Sequence, residues 1–558
     1  MHRPESKVGA LSFGRRAGHL ERLGGEEFDL LVIGGGITGG GIALDAASRG
    51  LRVGLLEKGD FAVGTSSRST KLVHGGLRYL AQFEFALTHE ALTERYILQE
   101  LAPSLIHWAP FVLPVHGNVL EMGKLFVGLW LYDLLASMRA PTLHRRLGRQ
   151  EVLKMAPGLR EEGLLGGFVY SDCRTDDVRL TLEVLRTAVG RGAAIANYAE
   201  VLGFAKERGR AVGVEAVDRR SGEAFRVRAR QTVVAVGVWL DQVLRLDDPS
   251  ARRRIRPAKG VHLVVPRSRL GFDVALFLPT APDGRLVFVI PWQGATLIGT
   301  TDTDYSGGLE APLATSEDVA YLLESVNRAF PDARLQPADV CSLQAGLRPL
   351  IDGGEGATTK VSREDRIYET ESGLIAVAGG KLTTYRRMAQ RVVDLAIRRL
   401  REAGHSVPES QCLTDRIPLG AFAPGPIRPA PELKALPAEV QAHLEETYGA
   451  NAGVIAGLVG DRPELGERLV PGLPNLKAEV VYAARHEMAE TIADALARRA
   501  HVVQLDPDQG RSGVRVAAEL MAQELGWDEA KLATEVARFE EDVRQFSPRA
   551  VSSSGRSK

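Results

Sequence analysis

Five groups of residues in this chain have the types and spacing to do chemistry. Gly34, Gly36 and Gly39 stand in the G-x-G-x-x-G register. That arrangement turns the backbone tightly, lets it approach a pyrophosphate, and packs a helix close to a strand. Glu57 follows about 20 positions later, where an acid accepts ribose hydroxyls. Next comes SSRSTKLVHGGLRYL. Ser66 and Ser67 are placed to hydrogen-bond phosphate or ribose, and Gly75 and Gly76 let backbone pass close to a planar ring. His74, Arg78 and Tyr79 bracket that approach. A third group holds Arg348 in AGLRPL and Arg363 in VSRED. A guanidinium is a planar fork that matches phosphate oxygens in two-point contact, so arginines converging with Lys381 would make an anion site. The fourth group is GGKLTTYRRM. Gly380, Lys381, Thr383 and Thr384 put a helix start and a cation beside a ligand, where they would stabilise a reduced, anionic ring. The fifth is His262 in an apolar run, a base able to take a hydroxyl proton while hydride leaves the carbon. Lys381 is the alternative base, because desolvation depresses an ammonium pKa.

Secondary structure has to bring these groups together. Asp29–Ile33 is an apolar run long enough for a buried strand, a helix-like segment follows to Arg49, and Val53–Leu56 is a second apolar run. This is a βαβ unit for one dinucleotide, with the pyrophosphate at the helix N-terminus. No second fingerprint follows a strand, so the resident dinucleotide is expected to be FAD, with electrons leaving to an acceptor other than a nicotinamide. Three strand-like runs between Glu200 and Val236 form a meander that returns toward the cofactor at Gly237. LVFVIPW–QGA–TLIGT reads as a hairpin in a strand-rich region, Lys259–Cys341, which would wall a substrate pocket. LIAVAGG then leads into a helix from about Leu382 to Arg401.

At 558 residues the chain is too long for one core. The spacing predicts an α/β architecture in pieces: a flexible arm over 1–26, and a cofactor domain over 27–100, 170–258 and 343–404. An antiparallel substrate domain covers 101–169 and 259–342. A proline-rich linker over 405–432 leads to a helical domain over 433–545 and a disordered tail over 546–558. With 70 basic against 70 acidic residues, nothing pulls the chain toward nucleic acid, so anion recognition must be local. Cys173, Cys341 and Cys412 are too scattered for a disulfide framework or a metal cluster, which fits a reducing compartment. No run of about 18 apolar residues exists to span a bilayer. Lys124–Met138 comes nearest; base rates favour a buried core helix there over a helix lying in a membrane surface.

In this order, VIGGGITGGGIALDAASRGLRVGLLEKGDF, GTSSRSTKLVHGGLRYL, YSDCRTDDVRL, FVIPW, IGTTDTDY, GLRPL, GGKLTTYR and VVYAARHEMAETIADALARR resemble the FAD-dependent glycerol-3-phosphate dehydrogenases. The resemblance runs from about Phe28 to Gln509. It implies a D-amino-acid-oxidase-like FAD-binding fold of Rossmann type, with an interleaved antiparallel substrate domain and a C-terminal helical domain. It also implies oxidation of sn-glycerol 3-phosphate to dihydroxyacetone phosphate, with hydride passing from C2 to FAD N5 and electrons going on to a membrane quinone. Arg78, Tyr79, His262, Arg348, Arg363 and Lys381 would line the substrate site. The expected location is cytoplasmic, peripheral on the inner face of the cell membrane, and a homodimer is left open. Two other chemistries share this architecture: a glycerol-3-phosphate oxidase that makes hydrogen peroxide, and an amine or amino-acid oxidase. The sequence departs from the family in its longer N-terminal arm and in SREDRIYE, where Glu364 and Arg366 add charge around Arg363.

Overall fold

The computed structural model describes residues 13–80, 82–279, 285–352, 365–425 and 430–551, with the Arg78 side chain outside the description. Two sheets carry the architecture. The first has eight strands. Its path runs Arg366–Glu369, Ile375–Ala378, Ala224–Val234, Glu27–Ile33, Val53–Leu56, Ala194–Ala196. The central pairs are parallel, as the βαβ reading requires. Strands Ala199–Glu207 and Arg210–Asp218 form the expected meander with Ala224–Val234. Helices Ile37–Ser48, Asp177–Gly190 and Tyr385–Glu402 pack together over one face of this sheet and bury its largest core.

The fingerprint glycines are forced by contact. Gly34 has φ +112°, and a Cβ on Gly39 would sit 1.8 Å from the Gly34 carbonyl oxygen. Any side chain at position 39 would push the helix off the strand.

The second sheet has ten strands. Strand Ile255–Pro266 pairs antiparallel with Ala295–Gly299 on one side and with Ser342–Ile351 on the other. The LVFVIPW hairpin forms, with Gln293 and Gly294 both at positive φ in its two-residue turn. Helix Ser316–Ala329 covers the outer face and packs on Val261, Leu263 and Val265. Successive residues alternate between faces, so Gly260 and His262 must point inward.

Several segments differ from the sequence reading. Strand Ser342–Ile351 falls largely within the expected cofactor domain, yet it belongs to the second sheet, where ten residue pairs tie it to the His262 strand. Residues 13–25, in the expected flexible arm, form a helix that buries Leu23 and hands Arg16 to Asp218 at 2.7 Å. The linker region is packed where it is described: Leu419 and Phe422 enter the cofactor-domain core. In the tail, Phe546 and Ser547 are buried, while residues 552–558 lie outside the description. Helix Val119–Leu135 is not a core helix. Met122, Leu129 and Tyr132 are buried, but Val127 is 66 % exposed, Trp130 46 % and Leu134 62 %. The helix is apolar nearly all round, and the sheet beneath can cover only one side of it.

The C-terminal helices dock on the cofactor domain through buried ion pairs. Asp60, three residues beyond Glu57, receives Arg499 at 2.7 and 2.8 Å and Arg498 at 2.5 Å. Glu487 pairs with Arg179 and, at 2.9 Å, with Arg186. Such pairs are strong constraints, because removing one partner strands a charge in low dielectric at a cost of about 3–5 kcal/mol.

Candidate functional site: a dinucleotide cavity under an inward sheet face

A cavity of about 430 Å³ opens beside the carboxyl ends of the first sheet's strands. Gly34, Gly36, Glu57, Ser66, Gly237, Gly380 and Lys381 all line it. The place is where an open α/β sheet binds its ligand, and the donor set suits a dinucleotide. Gly36 is the N-cap of helix Ile37–Ser48, with no side-chain cap bond, so the helix presents backbone N–H groups to the cavity. Ser66 Oγ accepts from Ile37 N at 3.0 Å and stands at that terminus. Glu57 lies at the end of its strand with its two carboxylate oxygens accepting from Gly35 N at 2.7 Å and Gly59 N at 2.9 Å. Burial holds its carboxyl above the ordinary range, and the two backbone N–H groups oppose that shift.

Other expected cofactor residues take supporting places. The Ser67 hydroxyl closes its own turn on the Gly64 carbonyl at 3.2 Å. Thr383 Oγ1 accepts from His74 N at 3.1 Å, so it clamps the approach of the His74 segment. Thr384 is a buried N-cap without a side-chain cap bond. Gly75 is required by packing: a Cβ there would meet Leu92 at 2.2 Å and the Tyr132 hydroxyl at 2.5 Å. The His74 ring lies 6.3 Å from Phe288 of the second sheet.

The segment Gly64–Lys71 lies between the cavity and the second sheet. Thr65 Oγ1 donates to Leu347 O at 2.7 Å, and Arg68 Nη1 donates to Ala345 O at 3.1 Å. Burial brings the Arg68 guanidinium down to about 10. The strand face under this segment carries Arg348 and His262. A Cβ on Gly260 would be 2.5 Å from Arg348 Nη2, so the guanidinium lies flat over that glycine. Arg348 Nη1 reaches Asp302 Oδ1 at 3.2 Å, and Nη2 reaches Thr300 Oγ1 at 3.0 Å.

His262 is 2 % exposed, and its Nε2 lies 3.0 Å from Thr70 Oγ1. Burial, reinforced by the nearby Arg348 and Lys71 charges, pulls its pKa down to about 3, so the ring is neutral. Lys381, which lines the cavity, has its Nζ 3.7 Å from the Tyr79 ring centroid, a cation–π contact. Arg78 falls in the short helix Leu77–Leu80. Arg363 lies outside the described residues.

Residue types alone did not single out Thr70, Thr300, Asp302 or Lys71. Thr300 and Asp302 lie in IGTTDTDY, a quoted motif given no role. Lys71 pairs with Asp177 at 2.6 Å and stacks 4.8 Å over Trp292. Its ion pair joins residues 106 positions apart, beyond the reach of local spacing.

The neutral His262 makes acid stability testable. Unfolded, the imidazole titrates near 6.5; folded, it titrates near 3. Between those values the unfolded chain binds the extra proton, so stability falls as pH drops through 6.5. The loss is roughly 2 kcal/mol by pH 5. Thermal melts of the wild type and His262→Gln at pH 8 and pH 5 should show a steeper acid decline in the wild type. Equal declines would mean that the folded imidazole is free to protonate.

Comparison with known proteins follows the same lines. Residues 29–393 match the family model described as FAD dependent oxidoreductase, and residues 412–532 match the C-terminal domain of alpha-glycerophosphate oxidase. A glycerol-3-phosphate dehydrogenase of Mycobacterium leprae is 39 % identical over 546 residues, covering 96 % of this chain and 92 % of its own. The aerobic glycerol-3-phosphate dehydrogenase of Bacillus subtilis is 40 % identical over 514 residues, covering 90 % and 92 %. The solved glycerol-3-phosphate dehydrogenase of Bacillus halodurans, complexed with FAD, superposes with a TM-score of 0.80 at 34 % identity, over 98 % of this chain and 100 % of that one. The cavity, its glycine-framed helix terminus and these matches agree: the chain belongs to the FAD-dependent oxidoreductase family, in the group of the aerobic glycerol-3-phosphate dehydrogenases, and FAD is its cofactor.

Proposed function

We propose that this protein oxidises sn-glycerol 3-phosphate to dihydroxyacetone phosphate and delivers the electrons to a membrane quinone. The observation that carries the reading is a pairing on one sheet face. The Arg348 guanidinium lies over Gly260, and the neutral His262 stands two residues along the same strand. An anion site therefore adjoins a base that is already deprotonated. The names of the relatives support the same substrate.

Each residue has a role in this reading. Arg348 and Lys381 hold the phosphate dianion, joined by Arg78, Tyr79 and Arg363. In the tautomer with its proton on Nε2, His262 donates to Thr70 Oγ1, 3.0 Å away, which leaves the Nδ1 lone pair to take the proton of the C2 hydroxyl. Transfer of that proton in step with loss of the C2 hydride makes the ketone. FAD, bound in the cavity, supplies the N5 acceptor for the hydride and the path to the quinone. Gly34, Gly36, Ser66 and the N-terminus of helix Ile37–Ser48 hold the pyrophosphate, Glu57 the ribose, and Gly237 and Gly380 give the cofactor its close approach.

The exposed side of helix Val119–Leu135 is the proposed membrane-docking surface, on the cytoplasmic side. Phe126, Val127, Trp130 and Leu134 are exposed, and Lys124 on the same helix, with Arg139, Arg145 and Arg146 following it in the chain, would meet anionic headgroups. Among the described residues no helix is long and apolar enough to cross a membrane.

Two measurements check this. With glycerol 3-phosphate in excess, a soluble quinone or dye should be reduced at a rate well above oxygen uptake. Stoichiometric peroxide without added acceptor would mark an oxidase instead. In vesicle flotation with anionic lipid, the wild type should co-float, and Val127→Glu/Trp130→Glu should lose about tenfold or more in binding. Equal flotation of both would remove this helix as the docking element.

A further inference from the structure

Two neighbouring buried side chains on the inward face of the second sheet carry polar atoms that have no hydrogen-bond partner among the described residues. One is His262, at Nδ1. The other is Gln344, whose amide Oε1 and Nε2 are both unpartnered in a side chain that is 1 % exposed. His262 and Gln344 are directly opposite on antiparallel strands. Opposed residues rise from the same face with Cβ atoms about 5 Å apart. The face is fixed independently: on the Gln344 strand, a Cβ on Gly346 would meet the Arg68 backbone oxygen at 2.9 Å. Gln344, Gly346 and Arg348 thus all lie beneath the cofactor segment.

The orientation of the imidazole points its empty nitrogen at the amide. A Cβ on Gly299, across the other neighbouring strand, would lie 2.2 Å from His262 Cδ2 and 3.0 Å from Nε2. The Cδ2–Nε2 edge therefore leans toward the Gly299 strand, and the Nδ1 edge turns toward Gln344. A buried amide left unpaired bears a desolvation cost for each unmet group. A leucine or methionine would fill the same volume without that cost. A glutamine here implies a partner that offers both a donor and an acceptor.

The spacing identifies the partner. The Arg348 guanidinium lies at the level of the Gly260–Gly346 pair, and the two orphan groups lie at the next inward pair along, His262–Gln344. Two residues of strand are about 6.7 Å, a length that a three-carbon phosphate ester covers. A phosphate at Arg348 puts a vicinal diol between His262 and Gln344.

We propose that Gln344 is a specificity-determining residue that binds the terminal C1 hydroxyl of the substrate, beside the C2 hydroxyl held at His262 Nδ1. The C1 hydroxyl donates to Oε1 and accepts from Nε2. This rests on the glycerol 3-phosphate reading. It makes Gln344 the group that distinguishes a 1,2-diol phosphate from a monohydroxy phosphate.

The test compares kcat/KM of the FAD-loaded enzyme, with a dye acceptor, for sn-glycerol 3-phosphate and for 2-hydroxypropyl phosphate of the same configuration, which lacks the C1 hydroxyl. A site built to hydrogen-bond a hydroxyl rejects an analogue lacking it strongly. The wild type should therefore favour glycerol 3-phosphate by at least about a hundredfold. Gln344→Met should lose about tenfold or more on glycerol 3-phosphate and little on the analogue, so the preference collapses. Gln344→Leu is the second apolar replacement. FAD content and melting temperature should hold in both, because the change removes unpaired polar atoms. Equal losses on the two substrates would overturn the assignment and leave Gln344 as a holder of water or structure. A wild type that uses both substrates equally would overturn it without any variant. If the wild type oxidises neither, the functional reading fails and the assignment fails with it.

Discussion

Strand Ser342–Ile351 is an edge strand whose outward carbonyls need donors, and everything at the site depends on where those donors come from. Thr65 and Arg68 supply them to Leu347 and Ala345. Both residues belong to the segment that also lends Ser66 to the dinucleotide cavity. One stretch of backbone therefore has the cofactor cavity on one side and the strand that carries Arg348 on the other. Capping an edge is a common structural need. Here it also ties the cavity to the His262 strand, because Thr70 Oγ1 in the same segment lies 3.0 Å from His262 Nε2. The C-terminal domain covers the rest of the edge: Gln509 donates to Cys341 O at 2.9 Å, and Ser342 Oγ donates to Gln504 O at 2.7 Å.

Balanced charge overall goes with strong local fields. Asp60 lies fully buried with Arg498 and Arg499, three residues from the acid expected to hold ribose. The helical domain therefore reaches the cofactor loop by ion pairs that cannot be broken singly without stranding a charge. Burial, reinforced by the nearby Arg348 and Lys71 charges, keeps His262 neutral. In the proposed reading, Arg348, which meets the oxyanion, thus also helps to keep the base unprotonated before the substrate arrives.

Much of this was legible in the sequence wherever chemistry is encoded by near neighbours. Gly34, Gly36, Gly39 and Glu57 sit in one βαβ unit, so spacing alone places them around one cavity. Arg348 and His262 were legible as residue types, but their meeting rests on strand pairing across more than 80 positions. Gln344 escaped notice because a glutamine in a strand has no signature until its opposite number is known. Ser67, Thr383 and Gly75 have the residue types of ligand contacts, but their first partners are the Gly64 carbonyl, the His74 backbone and the Leu92 side chain. Helix Val119–Leu135 shows the limit of composition: an apolar segment says that burial is favourable, not whether protein supplies it. The sequence places most of strand Ser342–Ile351 with the cofactor domain, whereas the strand pairs throughout with Ile255–Pro266, because a run along the chain does not reveal which sheet it joins.

In the proposed reading an oxyanion site and a neutral base share one face beside the flavin. Anaerobic titration of the FAD-loaded enzyme, watching the flavin's visible absorption band, addresses it most directly. Sn-glycerol 3-phosphate should bleach the band to completion, whereas glycine and sarcosine should leave it intact. Bleaching by the amines, with glycerol 3-phosphate inert, would contradict the account.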